Sequence, residues 1–230
     1  WDRFLLEPIT NGLIKSVVML MAHTPDMRLE FEEDRMSGVR LRDGNILHAH
    51  WYVSAVPPTQ LTPLLPERWL TRYAYFQQIV DLNSLPCTQI QAQTAATLTT
   101  PRHILLNSGP FPWITCMPSS GDRHVIARLA MSYDRAVADS EQQVSTLLRS
   151  LNLLGAEDGL TSFSEQETKT ATLSLAPGAK VRRPIQQSPI SNLLLAGAWT
   201  DTGWPANLES AIISGERCAE IVMHRGKNLG

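Results

Sequence analysis

"NLLLAGAWTDTGWPANLESAIISG", Asn192 to Gly215, decides how the rest of the chain is read. Leu193, Leu194 and Leu195 do not alternate with polar residues, the pattern of a strand covered on both faces. Gly197 lets the backbone leave that strand at close packing. Thr200, Asp201 and Thr202 are turn and cap formers, and Pro205 suits the first turn of a helix. Leu208, Ala211, Ile212, Gly215, Ala219 and Val222 then fall on one helical face. On it Ala211, Gly215 and Ala219 repeat at i, i+4 and i+8, so another backbone can approach closely. Strand, tight bend and helix follow one another without a spacer.

A helix N-terminus beside the carboxyl end of a buried strand presents free N–H groups and a partial positive charge. That suits an electron-rich oxygen of a cofactor. A plain strand-to-helix connection has the same local pattern, and both readings stand at this point.

The totals narrow the field. The chain has 230 residues, 43% of them hydrophobic, enough for one large domain or two small ones with a real core. A formal net charge of −2 gives no electrostatic footprint for nucleic acid. Cys87, Cys116 and Cys218 lie far apart with no CxxC, which argues against a zinc or disulfide framework and for a reducing, cytoplasmic compartment. No apolar run reaches the roughly 20 residues of a membrane span; the longest, Ile14 to Ala22, reads as a core or interfacial segment. The chain opens on Trp1 without a signal-peptide pattern, so the expectation is a fragment or a processed chain.

Working outward, Asp2 to Ala22 reads as helical with a break at Pro8 and Gly12. "RLEFEE", Arg28 to Glu33, alternates as a strand. "GVRLRDGNILHAH" is a hairpin turning at Asp43–Gly44, and "WYVSAVPP" is a short buried strand stopped by Pro57 and Pro58. "TQLTPLLPERW" reads as a short helix. "TQIQAQ", "RHILLNS", "WITCMPS" and "HVIARLAMS" read as strands of an antiparallel meander. "SEQQVSTLLRSLNLLG" is an amphipathic helix with Ser140 as N-cap, Gln143 completing a capping box and Gly155 as the C-terminal glycine. "KTATLSL" is a further strand and "PGAKVRRPIQQSP" a loop. The fold class is α+β: an antiparallel sheet bracketed by two short strands, "WYVSAV" and "NLLLAG", each able to join a parallel sheet.

The segment "NLLLAGAWTDTGWPANLESAIISGERCAE" resembles the C-terminal FAD motif of the flavin amine oxidase and phytoene desaturase superfamily. Within it, it is similar to the squalene-associated FAD-dependent desaturases, or hydroxysqualene dehydroxylases, with their pattern NLxLAGDWTxTGWPxxMExAxxSG. "SGVRLRDGNILHAHWYVSAVPPTQLTPLLP" resembles that superfamily's excursion hairpin, "WDRFLLEPI" its WxPL segment, and "KTATLSLAPGAKVRRP" the lead-in to its last motif. The resemblance runs in order over most of the chain. It implies substrate-domain helices at 1–35, the excursion hairpin and returning strand at 36–62, a substrate domain with an antiparallel sheet at 63–180, and the FAD-binding strand, turn and helix at 181–230.

It further implies FAD along Gly197, Ala198, Thr200, Gly203, Trp204, Pro205, Ala206, Asn207 and Leu208, with the helix tip facing the flavin's pyrimidine oxygen. An isoprenoid lipid of squalene or phytoene type is the implied substrate, with peripheral membrane contact and hydride transfer by the flavin. Two departures stand out. Ala198 replaces the pattern's Asp, and losing a hydrogen bond to a charged group costs about 1.5–3 kcal/mol. The chain also holds no GxGxxG, so the α/β portion is incomplete and lacks the N-terminal dinucleotide unit. The chain is then the C-terminal part of an oxidoreductase, a natural truncation without flavin that binds an apolar ligand or a protein, or a half completed by another polypeptide.

No other constellation demands chemistry. His48 and His50 end a hairpin strand and suit a surface role, and Cys116 in an apolar strand suits packing. Trp69, Tyr73, Tyr75 and Phe76 either wall an isoprenoid channel or pack a helix face on the sheet. No catalytic residue is assigned.

Overall fold

The computed structural model describes residues 27–95, 100–107, 109, 111–118, 125–130, 139–174 and 176–226. The helical reading of Asp2 to Ala22 and the "WDRFLLEPI" segment fall outside them. In chain order the described elements begin with β1 (Arg28–Glu32), β2 (Arg35–Arg40), β3 (Ile46–Leu47) and β4 (Tyr52–Ser54). Helices α1 (Pro58–Leu61), α2 (Glu67–Arg72) and α3 (Ala74–Val80) come next, with a 3₁₀ turn at Thr62–Leu64. Then come β5 (Ser84–Thr94), β6 (Arg102–Leu105), β7 (Trp113–Pro118), β8 (Val125–Ala130), α4 (Ser140–Ser150) and β9 (Ser162–Leu173). The chain closes with a short α5 (Ala179–Arg182), β10 (Leu193–Leu195) and α6 (Leu208–Gly226).

Among the described residues these strands form three sheets. The hairpin expected from Asp43–Gly44 forms: Gly44 takes φ 88°, and the Leu41 N–H donates to the Asn45 carbonyl across the turn at 2.8 Å. β1 adds to it antiparallel, giving the order β1-β2-β3. The expected antiparallel sheet forms with five strands in the order β6-β7-β8-β5-β9: only β6, β7 and β8 follow one another as a meander, and β5 pairs with β8 and β9 instead of with β6. The two bracketing strands find each other: β4 and β10 pair in parallel, Tyr52 beside Leu193 and Ser54 beside Leu195.

Alternation decides which faces are buried. Ile90 and Ala92 of β5, with Ile114 and Cys116 of β7, point to one side and pack with Val144 and Leu148 of α4. A second core gathers Leu61, Trp69, Phe76 and Ile79 of the small helices with Tyr52, Leu193 and Leu195. Trp69 sits edge-on to Phe31 at 4.5 Å and stacks with Phe76 at 5.9 Å. Trp69 and Phe76 are therefore core residues, and Tyr75 anchors the later chain by donating its hydroxyl to the Ile185 carbonyl at 2.5 Å.

The caps of α4 differ from the sequence reading. Asp139 is the N-cap and makes no side-chain cap bond. Ser140 lies inside the helix and donates to Glu165 of β9 at 2.6 Å. At the other end Asn152, not Gly155, takes the left-handed conformation, φ 56°. The Leu153 N–H then reaches the Leu148 carbonyl and the Asn152 N–H the Arg149 carbonyl, a Schellman closure in which Asn stands in for Gly.

One buried side chain ties two sheets together. Asn192 accepts from the Met36 N–H at 3.0 Å and donates to the Met36 carbonyl at 2.9 Å. Its own carbonyl receives the Tyr52 N–H at 2.9 Å. Asn192→Ala strands both polar groups of Met36 in the interior and is expected to cost about 2–4 kcal/mol. Urea unfolding followed by far-UV circular dichroism measures it.

Candidate functional site

Strand β10 is buried at all three positions. The Ala196 N–H continues its pairing onto the Ser54 carbonyl at 2.9 Å. Gly197 then breaks away at φ 132°, and a Cβ there would stand 2.6 Å from Trp199 Nε1. Its N–H donates to Ser214 Oγ of α6 at 2.8 Å, which fixes the helix against the strand end. Thr200 closes the first turn by giving both its N–H and its hydroxyl to the Gly197 carbonyl, at 3.1 and 2.9 Å.

The second turn is built by side-chain acceptors, as expected of Asp201 and Thr202. Asp201 Oδ1 receives the Gly203 N–H at 3.1 Å, and Thr202 Oγ1 receives the Trp204 N–H at 3.3 Å. Gly203 sits at φ 83°, where glycine is preferred. The helix begins later than Pro205 suggests. Asn207 is the cap, its Oδ1 taking the Ser210 N–H at 3.0 Å, and Pro205 lies in the turn before it.

Behind the turn sits a polar scaffold that sequence reasoning missed. Arg183, 8% exposed, donates to the carbonyls of Ala198 at 2.9 Å, Thr200 at 2.5 Å and Trp204 at 2.5 Å. It also reaches Ser210 Oγ at 3.0 Å. Arg217 donates to the carbonyls of Asp201 at 3.0 Å and Thr202 at 3.1 Å. Gln186 bonds Thr200 Oγ1 and the Asp201 carbonyl. The only sequence signal was the pair Arg182–Arg183 before Pro184, in a stretch that reads as loop. Nothing local tells which of the two arginines turns inward.

The residues assigned to the site divide by side. Gly203, Trp204, Pro205, Asn207 and Leu208 are exposed, and Gly197, Ala198 and Ala206 are half-buried. Thr200 is buried, with its hydroxyl, N–H and carbonyl all engaged within the protein. It shapes the turn from inside. The tip of α6 is open: Leu208 is 61% exposed, and a Cβ added at Gly203 would meet no atom within 4 Å.

Helix α6 turns its faces differently from the sequence reading. Its buried stripe is Ser210, Ser214 and Cys218, over Leu194 and Ala196. The face of Leu208, Ile212, Gly215 and Ala219 is exposed, and Gly215 has open space beside it. The hydroxyls earn their burial through Gly197 and Thr202, the latter pairing with Ser210 at 2.6 Å. The Arg225 guanidinium lies 5.7 Å from the Trp51 ring, so α6 also leans on the segment entering β4. Beside it Val53, expected to be buried, is 49% exposed. Its register partner is Leu194, so it shares the α6 side of the sheet. The other edge of β4 pairs with no strand among the described residues.

His48 is exposed and lies 2.7 Å from the Ser37 carbonyl. Among the described residues no group of His, Cys, Asp and Glu could hold a metal ion. Burial pushes the Cys116 thiol up, and pushes Cys218 up to about 11.

In this mixed chain a buried strand thus runs through a glycine bend to an open helix tip. Residues 23–223 match the flavin containing amine oxidoreductase family, and the chain belongs to that family. It is 26% identical over 210 residues to a 15-cis-phytoene desaturase of Synechococcus elongatus, covering 85% of this chain and 44% of that one. It is 28% identical over 182 residues to a hydroxysqualene dehydroxylase of Rhodopseudomonas palustris, covering 76% and 39%. A solved FAD-dependent oxidoreductase of Pseudomonas aeruginosa superposes with a TM-score of 0.58 at 18% identity, covering 88% of this chain and 53% of that one. The chain thus spans less than half the length of these two curated relatives.

Two outcomes follow from this geometry. Gly197→Ala forces a side chain into a left-handed conformation and against Trp199, and is expected to cost about 1–3 kcal/mol in thermal or urea unfolding. In a native thiol titration at pH 8, Cys116 and Cys218 are expected to stay unreactive until the protein is unfolded.

Proposed function

We propose that this chain supplies the flavin-ring half of the FAD site in an oxidoreductase that acts on an isoprenoid lipid. The observation that carries the reading is the open tip of α6, with an outward-facing turn held from behind by arginine and glutamine. The relatives named phytoene desaturase and hydroxysqualene dehydroxylase support the substrate class. FAD, when bound, supplies hydride transfer, and the protein contributes orientation, a fixed field and exclusion of water. Gly203, Trp204, Pro205, Ala206, Asn207 and Leu208 face the cofactor from the turn. Gly197 and Ala198 approach it by backbone, and Thr200 acts through the turn it closes.

The other half of the site lies beyond these residues. Among the described residues no strand pairs with the other edge of β4, and Val53, Leu208 and Ile212 are exposed; together they offer a place for a further strand and helix. A two-stranded parallel sheet is not stable alone and is normally covered on both faces. A dinucleotide-binding βαβ unit satisfies both needs and brings the missing pyrophosphate turn.

Ala198 favours a second reading, a flavin-free relative that binds an apolar ligand or a protein. A methyl group stands where an Asp would accept hydrogen bonds from cofactor hydroxyls. Expression with and without adjoining upstream coding sequence, followed by absorbance spectra and FAD titration, separates the two. The flavin reading expects a yellow longer protein and weak binding by the 230 residues alone. A longer protein that contains a GxGxxG unit and stays colourless in excess FAD supports the flavin-free relative. Ala198→Asp is expected to tighten FAD binding about tenfold; unchanged affinity means that this side chain does not meet the cofactor.

A further inference from the structure

The inward side of the site turn is unusual in its charge. The carbonyls of Ala198, Thr200, Asp201, Thr202 and Trp204 all accept from just two guanidinium groups, Arg183 and Arg217. Among the described residues neither arginine has a carboxylate within ion-pair distance. Asp201 acts on Arg183 only through space, and its Oδ1 is occupied by the Gly203 N–H. Arg183 Nε is buried without a partner. Burying a cation without a counter-ion is an expensive way to hold a loop, because desolvation is repaid only by carbonyl dipoles. Glutamine does part of the same holding at Gln186 without any charge.

We propose that Arg183, supported by Arg217, is a positioning residue for the turn and the fixed positive charge of the site. The proposal rests on the flavin reading above. Arg183 suits both tasks because its planar fork reaches three carbonyls and a hydroxyl at once, which an ammonium cannot do, and it stays charged when buried. Its charge adds to the partial positive end of α6, capped by Asn207. Together they favour the electron-rich, reduced flavin over the oxidised one and so raise its reduction potential. The missing carboxylate at position 198 has the same sign of effect, since an Asp there would offset the cation.

The test uses the full-length polypeptide with Arg183→Lys, Arg183→Gln and, as a control, Arg182→Gln at the exposed neighbour. Hydrogen exchange of the amides of residues 198–207, measured without flavin, is expected to speed up about tenfold or more in both Arg183 variants, reporting loss of the fork. The flavin midpoint potential is expected to fall in Arg183→Gln and to stay near wild type in Arg183→Lys, which keeps the charge. Unchanged exchange in both variants overturns the positioning role. An equal fall in potential for Lys and Gln, or none in Gln, overturns the charge role. A wild-type protein that takes up no free FAD sinks the flavin reading and the charge role with it, while the exchange result still decides the positioning role. If Arg183→Gln does not fold, Arg217→Gln and Arg217→Lys make the charge comparison at the supporting arginine, and Arg183→Lys still reports the exchange.

Discussion

The parallel pairing of Tyr52–Ser54 with Leu193–Leu195 is the contact on which the other parts depend. It joins segments from opposite ends of the described chain, and everything between them is a long excursion that leaves this small sheet and returns to it. Parallel pairs cannot be closed by a tight turn, so their loop entropy is recovered only through burial of what surrounds them. The helices α1 to α3 provide that burial on one side with Trp69 and Phe76, and α6 provides it on the other with Cys218. Asn192 then locks the sheet to the hairpin through both polar groups of Met36. The bend at Gly197 starts where the pairing stops, so the place and direction of the site turn follow from it.

The turn itself obeys an unusual division. Its inner surface is polar: guanidinium, amide and hydroxyl donors meet the carbonyls of Gly197, Ala198, Thr200, Asp201, Thr202 and Trp204. Its outer surface is open, with Gly203 and Leu208 unobstructed. A loop that was only a connection would hide apolar groups and show polar ones. Here the polar groups hold the turn from inside, and Gly203, Trp204, Pro205 and Leu208 stand on the exposed side. The same holds for α6, which buries Ser210 and Ser214 and exposes Leu208 and Ile212.

Local sequence determined a good deal. Alternation and the Asp43–Gly44 turn specify the hairpin, the unbroken Leu193–Leu195 run specifies a buried strand, and the glycine–threonine–proline stretch specifies a bend before a helix. These are short-range effects of steric preference and burial period, which are written in consecutive residues. The resemblance carried the family, because the turn residues are a specific combination. The sequence by itself also showed Ala198 in place of Asp and the lack of GxGxxG.

Only the tertiary structure decided which strands pair, which face of α6 is buried and which arginine lies behind the turn. Hydrophobicity puts Ile212 and Leu208 inside, yet Ser214 and Ser210 are inside because they answer Gly197 and Thr202 across the bend. Ser140 looks like a cap until Glu165 of a distant strand takes its hydroxyl. Arg182 and Arg183 are equivalent in sequence, yet the first is exposed and the second lies under the carbonyls of Ala198, Thr200 and Trp204. In each case the deciding partner lies far along the chain, and hydrogen-bond satisfaction in the interior outweighs local preference.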